Sequence, residues 1–526
     1  YDACLRSHLQ EWRGQYQQTD ICLQSAQSVI APSMNELFAA FESNDYSSLA
    51  CISQGTSMEA LHDYLTTLLF RFGRYCLLSA SRYGELPAPL QGLWCRDLLP
   101  AWDGKYTTNI NLQMAYWPAD AANMSQCYEP LIHFALRIRE SGMVTARRMY
   151  NCRGFVMHNN TDIWADTAVQ DAGTHCSYWF VGGVWLAIDL YEHFRYTRDR
   201  EMLRRIWPVM RDAALFMLDF MDEVDGKRIL GVTTAPENFY FDEQGRKVSF
   251  CQMCAMDAQL VALLFAHCRQ AAQYLREAFG TCEAEDGFFD ELELAAQQIE
   301  LPKIGLDGTI LEWGFEAREA EPQHRHMSHL VGVYPYNFIT EHTPELLRAT
   351  QASLEKRIRN GGCNTGWGRA WGAGMLARFG RGNEARNMVG TMLQLSGQPN
   401  LFSCCNCGRV PKLLENSKPM QLDGTMGTVQ AVIEMLLQSH CDAELRILPA
   451  LPDSWDEGSF TGLRARGNLR VDAQWRSGKL LQATVMAGEN AEFTIFCNTD
   501  FTVLADGVQI SSARKQAVVS MQGGHT

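Results

Sequence analysis

Polar and aromatic side chains crowd residues 105–118, a segment too polar for an ordinary core element. Asn109 and Asn111 are two residues apart, so on an extended backbone both carboxamides point to one face, where they can orient a water molecule or a sugar hydroxyl. The tyrosine and tryptophan that follow can supply a flat apolar wall for a ring. A hydrogen-bonded structural turn uses the same residue types, so this segment indicates a site only together with others.

Two carboxylic acids lie in turns that restrict their positions. Glu237 follows Pro236, which holds the acid in a rigid turn. Asp423 precedes Gly424, and a glycine permits the close approach of a backbone to a ligand. The ordinary alternative for Asp423 is an N-cap, since Asp often begins a helix. Both acids are candidates for proton transfer.

Two more clusters combine polar and aromatic residues. They contain His158, Asp162 and Trp164 in one case, and Glu312, Trp313, His324, Arg325, His326 and His329 in the other. For the three histidines, hydroxyl recognition, a structural role in capping loops and metal binding are all open. The charge of Arg325 disfavours a tight metal site, and its guanidinium can instead clamp a sugar hydroxyl or a carboxylate.

The composition is that of an ordinary globular protein, with 46% hydrophobic and 20% charged residues. A chain of 526 residues exceeds what a single core usually organises, which predicts two or three domains. A net charge of -14 argues against nucleic acid and anionic membrane surfaces as partners, because both demand a basic face. Apolar runs stay far below the roughly 18 residues that a membrane helix needs, so we expect no membrane insertion.

The 18 cysteines are spread thinly, unlike the framework of a small disulfide-rich domain. We expect buried thiols in a reducing compartment, which favours a cytoplasmic over a secreted protein. Cys251-x-x-Cys254 and Cys404-Cys405-Asn406-Cys407 suggest zinc, but neither has a second ligand pair at a suitable spacing. We expect neither a metal nor a cofactor. Because the chain starts at Tyr1 without an initiator methionine, we also expect a further region upstream.

Helical periodicity dominates residues 57–440, where long connections rich in Gly, Pro, Asn and Trp interrupt it. Helices are predicted at 199–221, at 257–279 and after Thr343-Pro344, an N-cap followed by proline at the first helical position. Residues 1–56 are predicted to form a helical lead-in. After residue 441 apolar and polar residues alternate, as from Leu469 to Trp475, which is typical of antiparallel strands. The predicted fold is mainly α: a toroid of helix pairs with a C-terminal β domain.

Seven motifs follow one another along the chain. They are Leu90-Gln91-Gly92-Leu93-Trp94, the block 105–117, His158-x-Asn160-Thr161-Asp162-Ile163-Trp164, Pro236-Glu237-Asn238, His324-Arg325-His326-x-Ser328-His329-Leu330, Gly366-Trp367-x-Arg369-Ala370-Trp371 and Gln421-x-Asp423-Gly424. In residues and order they resemble glycoside hydrolase family 95, the family of inverting α-L-fucosidases. The resemblance implies a helical linker at 1–56, an (α/α)6 barrel catalytic domain at 57–440 and a C-terminal β-sandwich-like domain at 441–526. It also implies that the family's N-terminal β domain lies outside this chain.

The resemblance implies roles for individual residues. Glu237 holds the position of the acid that protonates the leaving oxygen, while Asn109 and Asn111 place the attacking water with help from Asp423. Contacts to the sugar are expected from Thr107, His158, Asp162, Trp164, Glu312, Arg325 and His326. Inversion requires the acid and the base on opposite faces of the sugar, roughly 6.5–9.5 Å apart. The acid must start protonated, so we expect a partly desolvated loop or a second carboxylate beside it.

Some positions depart from the family's pattern. Thr107 stands where many relatives have histidine, and this smaller, hydroxyl-bearing residue can accept the 6-hydroxyl that L-galactose has and L-fucose lacks. Asn159 replaces another frequent histidine, and Ser417-Lys418-Pro419-Met420 replaces His-Pro-Pro-Phe. The expected function is the release of terminal α-linked L-fucose from an oligosaccharide or glycan. The alternatives are an α-L-galactosidase and a non-catalytic sugar-binding fragment.

Overall fold

The computed structural model describes residues 2–524, apart from residues 28, 44, 48, 96, 171, 406–418, 506, 507 and 514. It confirms the predicted architecture, a mainly α toroid of the (α/α)6 type with a β-rich C-terminal domain. The α-helices are α1 (Asp2–Tyr16), α2 (Gln24–Gln27), α3 (Met34–Ser43), α4 (Ala50–Ser53), α5 (Met58–Ala80), α6 (Asn111–Tyr116), α7 (Pro118–Ala121), α8 (Tyr128–Thr145), α9 (Thr174–Ser177), α10 (Gly182–Thr197), α11 (Arg200–Phe220), α12 (Ala255–Phe279), α13 (Phe288–Gln298), α14 (Pro344–Arg359), α15 (Gly366–Arg378), α16 (Gly382–Ser396) and α17 (Leu422–Leu436).

Short strands connect the helices, and longer strands build the C-terminal part. The strands are β1 (Asp20–Leu23), β2 (Tyr106–Thr107), β3 (Asn160–Thr161), β4 (Asp222–Val224), β5 (Lys227–Ile229), β6 (Thr233–Thr234), β7 (Tyr240–Phe241), β8 (Lys247–Val248), β9 (Phe250–Cys251), β10 (Arg318–Glu319), β11 (Leu437–Gln438), β12 (Glu444–Ile447), β13 (Gly458–Ala465), β14 (Leu469–Arg476), β15 (Lys479–Ala487), β16 (Ala491–Cys497), β17 (Phe501–Ala505), β18 (Val508–Ala513) and β19 (Gln516–Met521). Strands therefore occur both in the loops of the toroid and in the C-terminal domain.

Local sequence signals set the ends of the main helices. α11 starts after Asp199, whose side chain accepts hydrogen bonds from two backbone N–H groups of the first turn. α12 ends at Gly280, whose φ of 75° suits glycine. The helix predicted after Thr343 is α14, with Thr343 as its N-cap residue and Pro344 at its first position as predicted, although the threonine side chain makes no capping hydrogen bond. The Thr343 side chain bonds to the backbone of Thr340 and not to the helix.

Burial separates inner helices from outer ones. Every residue of α15 and α17 is buried, and so is nearly all of α10, as expected for helices surrounded by other helices. α11 and α16 keep exposed residues on one side. α17 packs against α5, α6 and α15, so several elements hold its first turn in place. Within the described part of the chain, no helix combines the length and the apolar character that crossing a membrane demands.

The C-terminal part contains two main sheets. β13, β14 and β15 are antiparallel neighbours in one, and β11, β12, β16 and β19 form the other, in which β12 and β16 run parallel. The predicted alternation is confirmed in β14, where alternate residues from Leu469 to Trp475 are buried. Ser477 and Gly478, both with positive φ, form the two-residue turn between β14 and β15.

The lead-in at residues 1–56 is not wholly helical. Its strand β1 pairs antiparallel with β13, so that Asp20 lies opposite Thr461 and Leu23 lies opposite Gly458. Because this partner lies near the other end of the chain, nothing local to residues 20–23 indicates a strand. The domain boundaries at residues 56 and 440 stay predictions, and β1 couples the first segment to the last.

The two cysteine groupings lie in different surroundings. Cys251 and Cys254 are buried free thiols, and burial raises the pKa of the Cys254 thiol well above its ordinary value. In the second grouping Cys404 and Cys405 are buried, while residues 406 and 407 lie outside the described residues. Ser417 and Lys418, which depart from the family pattern, lie outside them as well.

Asp63 joins the toroid to both ends of the chain. Its buried carboxylate accepts hydrogen bonds from Arg386 of α16 at 2.8 Å, from the Trp455 indole at 2.9 Å and from the Ser25 hydroxyl at 2.8 Å. The partners come from the lead-in, from the toroid and from the segment that precedes β13. Removing one charge of a buried ion pair is costly because the other stays buried without compensation.

We expect Asp63→Asn to lower the free energy of unfolding by about 3 kcal/mol, because the Arg386 guanidinium loses its charged partner. Denaturant unfolding and the thermal midpoint measure this change. Asp453→Asn is the matched control, since the Asp453 carboxylate is exposed and accepts one hydrogen bond from Asn383. Equal stability of the two variants would contradict this role of Asp63.

Candidate active site

The four residues predicted to act in catalysis meet as two bonded pairs. The Asn109 side chain donates a hydrogen bond to Glu237, with 2.8 Å between Nδ2 and Oε1. The Asn111 side chain donates one to Asp423. Each carboxamide therefore contacts a different carboxyl group. The pairs bring together the start of α6, the segment between β6 and β7 that carries Glu237, and the first turn of α17.

The backbone around the asparagines differs from the extended strand that the sequence analysis assumed. In this segment β2 is the extended part, paired with β3, whereas Asn109 lies in a turn and Asn111 begins α6. Thr108 fixes the turn by donating from its N–H and its hydroxyl to two backbone carbonyls just before β3, each at 2.7 Å. Among the described residues nothing donates to the buried Oδ1 of Asn109. A buried acceptor of this kind suits a water molecule or a ligand hydroxyl.

Glu237 is surrounded by donors. Besides the bond from Asn109, its Oε2 forms an ion pair with Arg325, and His326 Nε2 lies 3.7 Å from its Oε1. Burial raises the pKa of this carboxyl group, but Arg325, and after it His326 and Asn109, outweigh burial and lower the pKa to about 2. The expectation of a protonated Glu237 is therefore wrong, because its carboxyl group is largely buried as expected, but a guanidinium and not a second carboxylate lies beside it.

Asp423 lies in an environment of the opposite kind. Its carboxyl group is 1% exposed and accepts hydrogen bonds from Asn111 and from the Gly424 N–H. Burial raises the pKa of Asp423 to about 7, and these two hydrogen bonds lower it by less. The N-cap alternative is wrong, since Gln421 is the N-cap of α17 and Asp423 lies inside its first turn.

Glycines let the backbone approach closely around Asp423. A Cβ on Gly424 would lie 2.6 Å from the Ser403 hydroxyl oxygen and 2.7 Å from the carbonyl carbon of Gly366. The Ser403 hydroxyl also donates to the Gln421 carbonyl just before α17. The start of α15, the strand-like segment at Ser403 and the start of α17 are thus fixed against one another.

His158 and Asp162 shape a loop. Both ring nitrogens of the buried His158 have protein partners at 2.7 Å, namely the Tyr150 hydroxyl and the Thr167 carbonyl. Asp162 accepts backbone hydrogen bonds from Trp164 and from Asp166. The Trp164 side chain that this loop carries is 77% exposed, so it can contact a ligand only from the protein surface.

Thr107 lies beside the second bonded pair. It ends β2 and shares the wall of a small cavity with Pro89, Leu90, Asn111 and Asp423. A change in the size of the residue at position 107 therefore changes the space next to the Asn111–Asp423 pair.

Three more residues were predicted to contact the sugar. Arg325 and His326 lie next to the Glu237 carboxyl group, whereas Glu312 contacts Asn238, the residue that follows Glu237. His326 is buried, stacks on His324 with ring centroids 5.3 Å apart and meets the edge of Trp367 at 4.7 Å. Glu312 Oε2 accepts hydrogen bonds from Asn238 at 3.1 Å and from Arg357 at 3.0 Å. Glu312 is therefore bonded to the neighbour of Glu237 and not to Glu237 itself.

Several residues around Glu237 and its neighbours were not predicted from the sequence. Trp367, which packs against His326, lies in the motif Gly366-Trp367-x-Arg369-Ala370-Trp371, and this motif was the signal for it in the sequence. His175 lowers the pKa of Glu237 by its charge and packs against Phe239 with ring centroids 4.8 Å apart. Arg357 lies on α14 among other basic residues, and no local signal separates it from a solvated helix face.

The histidine cluster does not have the geometry of a metal site. In the described residues, the His, Cys, Asp and Glu side chains close enough to share one ion are Glu341, His440 and Cys441, which lie outside this cluster. Burial lowers the pKa of His326 to about 3, so its ring is neutral near pH 7. A neutral ring can donate or accept a hydrogen bond to a hydroxyl group.

Two family models match this chain. The model "Glycosyl hydrolase family 95 catalytic domain" matches residues 1–436, and the model "Glycoside hydrolase family 95, C-terminal domain" matches residues 438–525. Among solved structures, a "Putative kojibiose phosphorylase from human microbiome" aligns with a TM-score of 0.54 at 10% identity, covering 90% of this chain and 70% of that chain. Identity this low shows a shared fold alone.

Curated relatives carry fucosidase names. The chain is 36% identical over 424 residues to "Alpha-L-fucosidase 2" of Arabidopsis thaliana, which covers 80% of this chain and 49% of that protein. It is 27% identical over 509 residues to "Probable alpha-fucosidase A" of Aspergillus niger, which covers 92% of this chain and 59% of that protein. The chain thus spans about half the length of the curated relatives it matches.

We expect Arg325→Met to raise the pKa of Glu237 from its low value, because burial persists while the guanidinium that lowers it is gone. Infrared difference spectra against Glu237→Gln, recorded along a pH titration, measure the protonated carboxyl group. Arg348→Met changes an exposed arginine on α14 and should leave the titration as in the wild type. An unchanged titration in Arg325→Met would contradict the cause assigned to the low pKa.

Proposed function

The chain belongs to glycosyl hydrolase family 95, and from that membership we propose that it is an exo-acting hydrolase that releases terminal α-linked L-fucose from oligosaccharides or glycans. We further propose that the reaction inverts the anomeric configuration and uses no cofactor. The observation that carries the proposal is the pair of amide–carboxyl contacts, Asn109 with Glu237 and Asn111 with Asp423. The two pKa values are separated in the opposite sense to these roles, so the proposal requires that the bound sugar displaces Arg325 before Glu237 carries the proton.

In the proposed reaction a water molecule attacks the anomeric carbon as the glycosidic C–O bond breaks. Asn109 and Asn111 orient this water, and the Asp423 carboxylate accepts its proton. Glu237 donates a proton to the leaving oxygen. Each turnover therefore leaves Glu237 ionised and Asp423 protonated, and exchange with solvent restores both. The pKa of Asp423 near 7 makes its carboxylate a better base than an ordinary aspartate.

The ion pair with Arg325 must open before Glu237 can act as the acid. The Arg325 side chain is 30% exposed and that of Glu237 is 15% exposed, so a sugar can reach both. We propose that the sugar hydroxyls take over the guanidinium N–H donors. Burial then becomes the main influence on Glu237, its pKa rises, and it binds the proton that it later donates.

An α-L-galactosidase is the second candidate, and Thr107 is the observation that favours it. Thr107 lies next to Asn111 and Asp423, where a smaller side chain than histidine leaves room for one more hydroxyl group. We expect Thr107→His to raise the ratio of kcat/KM for aryl α-L-fucoside over aryl α-L-galactoside by ~10-fold, since the added ring fills that room. Thr343→His, at the start of α14, is the control. A ratio that stays the same in Thr107→His would exclude this residue as the cause of any preference.

Glu237→Gln and Asp423→Asn separate the two proposed roles. On an unactivated fucosyl oligosaccharide each variant should lose about 10²–10⁴-fold in kcat. On dinitrophenyl α-L-fucoside, Glu237→Gln should recover most of the loss because this leaving group needs no proton, whereas Asp423→Asn should not. Glu355→Gln, an exposed change, is the control for both.

These assays also test the function as a whole. Hydrolysis of either aryl glycoside by the wild-type chain supports a hydrolase, and the faster substrate selects between the two sugars. Retained binding of L-fucose without turnover would overturn the proposal in favour of a sugar-binding fragment. If the activated substrate restored the kcat of Asp423→Asn and not that of Glu237→Gln, Asp423 would be the acid and Glu237 the base.

A further inference from the structure

The short turn that carries Glu237 is held from its far side. The Ser328 hydroxyl donates to the Pro236 carbonyl at 2.6 Å, which fixes the residue before the acid. The residue after it, Asn238, is fully buried and donates from Nδ2 to Glu312 Oε2 at 3.1 Å. Among the described side chains, Glu312 is the hydrogen-bond acceptor for the Asn238 amide.

Glu312 is itself held by Arg357. Arg357 Nη2 donates to the same Oε2 at 3.0 Å, and both side chains are almost wholly buried. Arg357 Nη1 also lies 3.3 Å from Glu319 and donates to the Glu321 carbonyl at 3.2 Å. The pair therefore connects the acid turn to α14 through a single carboxylate oxygen.

The other carboxylate oxygen of Glu312 has a different surrounding. Oε1 has no protein partner among the described residues, and Glu312, Trp313, His329 and Arg357 line a polar cavity of about 60 Å³. A cavity of that size can hold water. Because both protein hydrogen bonds converge on Oε2, a glutamine with its amide NH2 in the cavity could keep both of them.

A buried ion pair is weak as a source of stability, since desolvation offsets the attraction. Its use must therefore be sought in what it positions. We infer that Glu312, backed by Arg357, is a positioning residue that sets the direction of the Glu237 carboxyl group through Asn238. This inference rests on the proposed function, because it gives Glu312 the task of aiming the acid at the leaving oxygen. In this role Glu312 acts through Asn238, whereas the sequence predicted a direct contact with the sugar.

Steady-state kinetics of Glu312→Leu and Glu312→Gln test the inference. On an unactivated fucosyl oligosaccharide, Glu312→Leu should lower kcat about 100-fold with KM changed less than about 3-fold, because the acid is misaligned while the sugar still binds. On dinitrophenyl α-L-fucoside the loss should nearly vanish. Glu312→Gln should keep kcat within about 5-fold of the wild type, since it preserves the acceptor for Asn238.

Glu319→Leu is the matched control, because Glu319 contacts Arg357 and not Asn238. Should Glu312→Leu fail to fold, Asn238→Ala removes the same hydrogen bond from the other side. The double variant Glu312→Leu/Asn238→Ala should lose no more than either single variant, as expected for two residues acting through one bond.

Three results would overturn the inference. Equal losses in Glu312→Leu and Glu319→Leu, or a loss that is the same on activated and unactivated substrates, would reduce Glu312 to a structural role. A rise in KM with kcat unchanged would return Glu312 to direct sugar binding. All three differ from a failure of the proposed function, in which the wild-type chain itself would hydrolyse neither fucoside.

Discussion

Burial of two carboxyl groups at one place is the constraint on which the rest of the structure depends. Asp423 is 1% exposed and the Glu237 side chain is 15% exposed, and an ionised carboxyl group with so little access to water needs partners. The fold gives one of them a guanidinium and the other only an amide and a backbone N–H. Burial raises the pKa of both groups, but the guanidinium leaves Glu237 with a low pKa and Asp423 keeps a high one.

This asymmetry explains why the segment at residues 105–118 is so polar. It supplies one carboxamide to each carboxyl group, and its turn between β2 and α6 spaces Asn109 and Asn111 to do so. The position of Asp423 also constrains an inner helix. This residue lies in the first turn of the fully buried α17, where the space beside it admits only a glycine at position 424. Outer contacts such as those between Glu312 and Arg357 then fix the turn of Glu237.

Helical periodicity and strand alternation were enough to predict the helical toroid and the C-terminal strands, whereas the grouping of Asn109, Asn111, Glu237 and Asp423 in one site followed from the family resemblance. The sequence could not predict that Asn109 bonds to Glu237 and Asn111 to Asp423. An extended backbone would point both amides to one face, whereas the turn at Asn109 directs them to different carboxyl groups. The ion pair with Arg325 is a tertiary contact between segments 88 residues apart and reversed the expected charge of Glu237. The strand β1 was not predicted because it also depends on a tertiary contact, its pairing with the distant strand β13.

The central claim is that water attacks from the Asp423 side while Glu237 protonates the leaving oxygen on the opposite face. The most direct measurement follows the first sugar released from aryl α-L-fucoside by proton NMR, before the anomers interconvert. Attack from that face predicts that β-L-fucose forms first and that the α-anomer appears later. Initial release of α-L-fucose would contradict it, because retention requires a covalent intermediate on one of these two carboxylates.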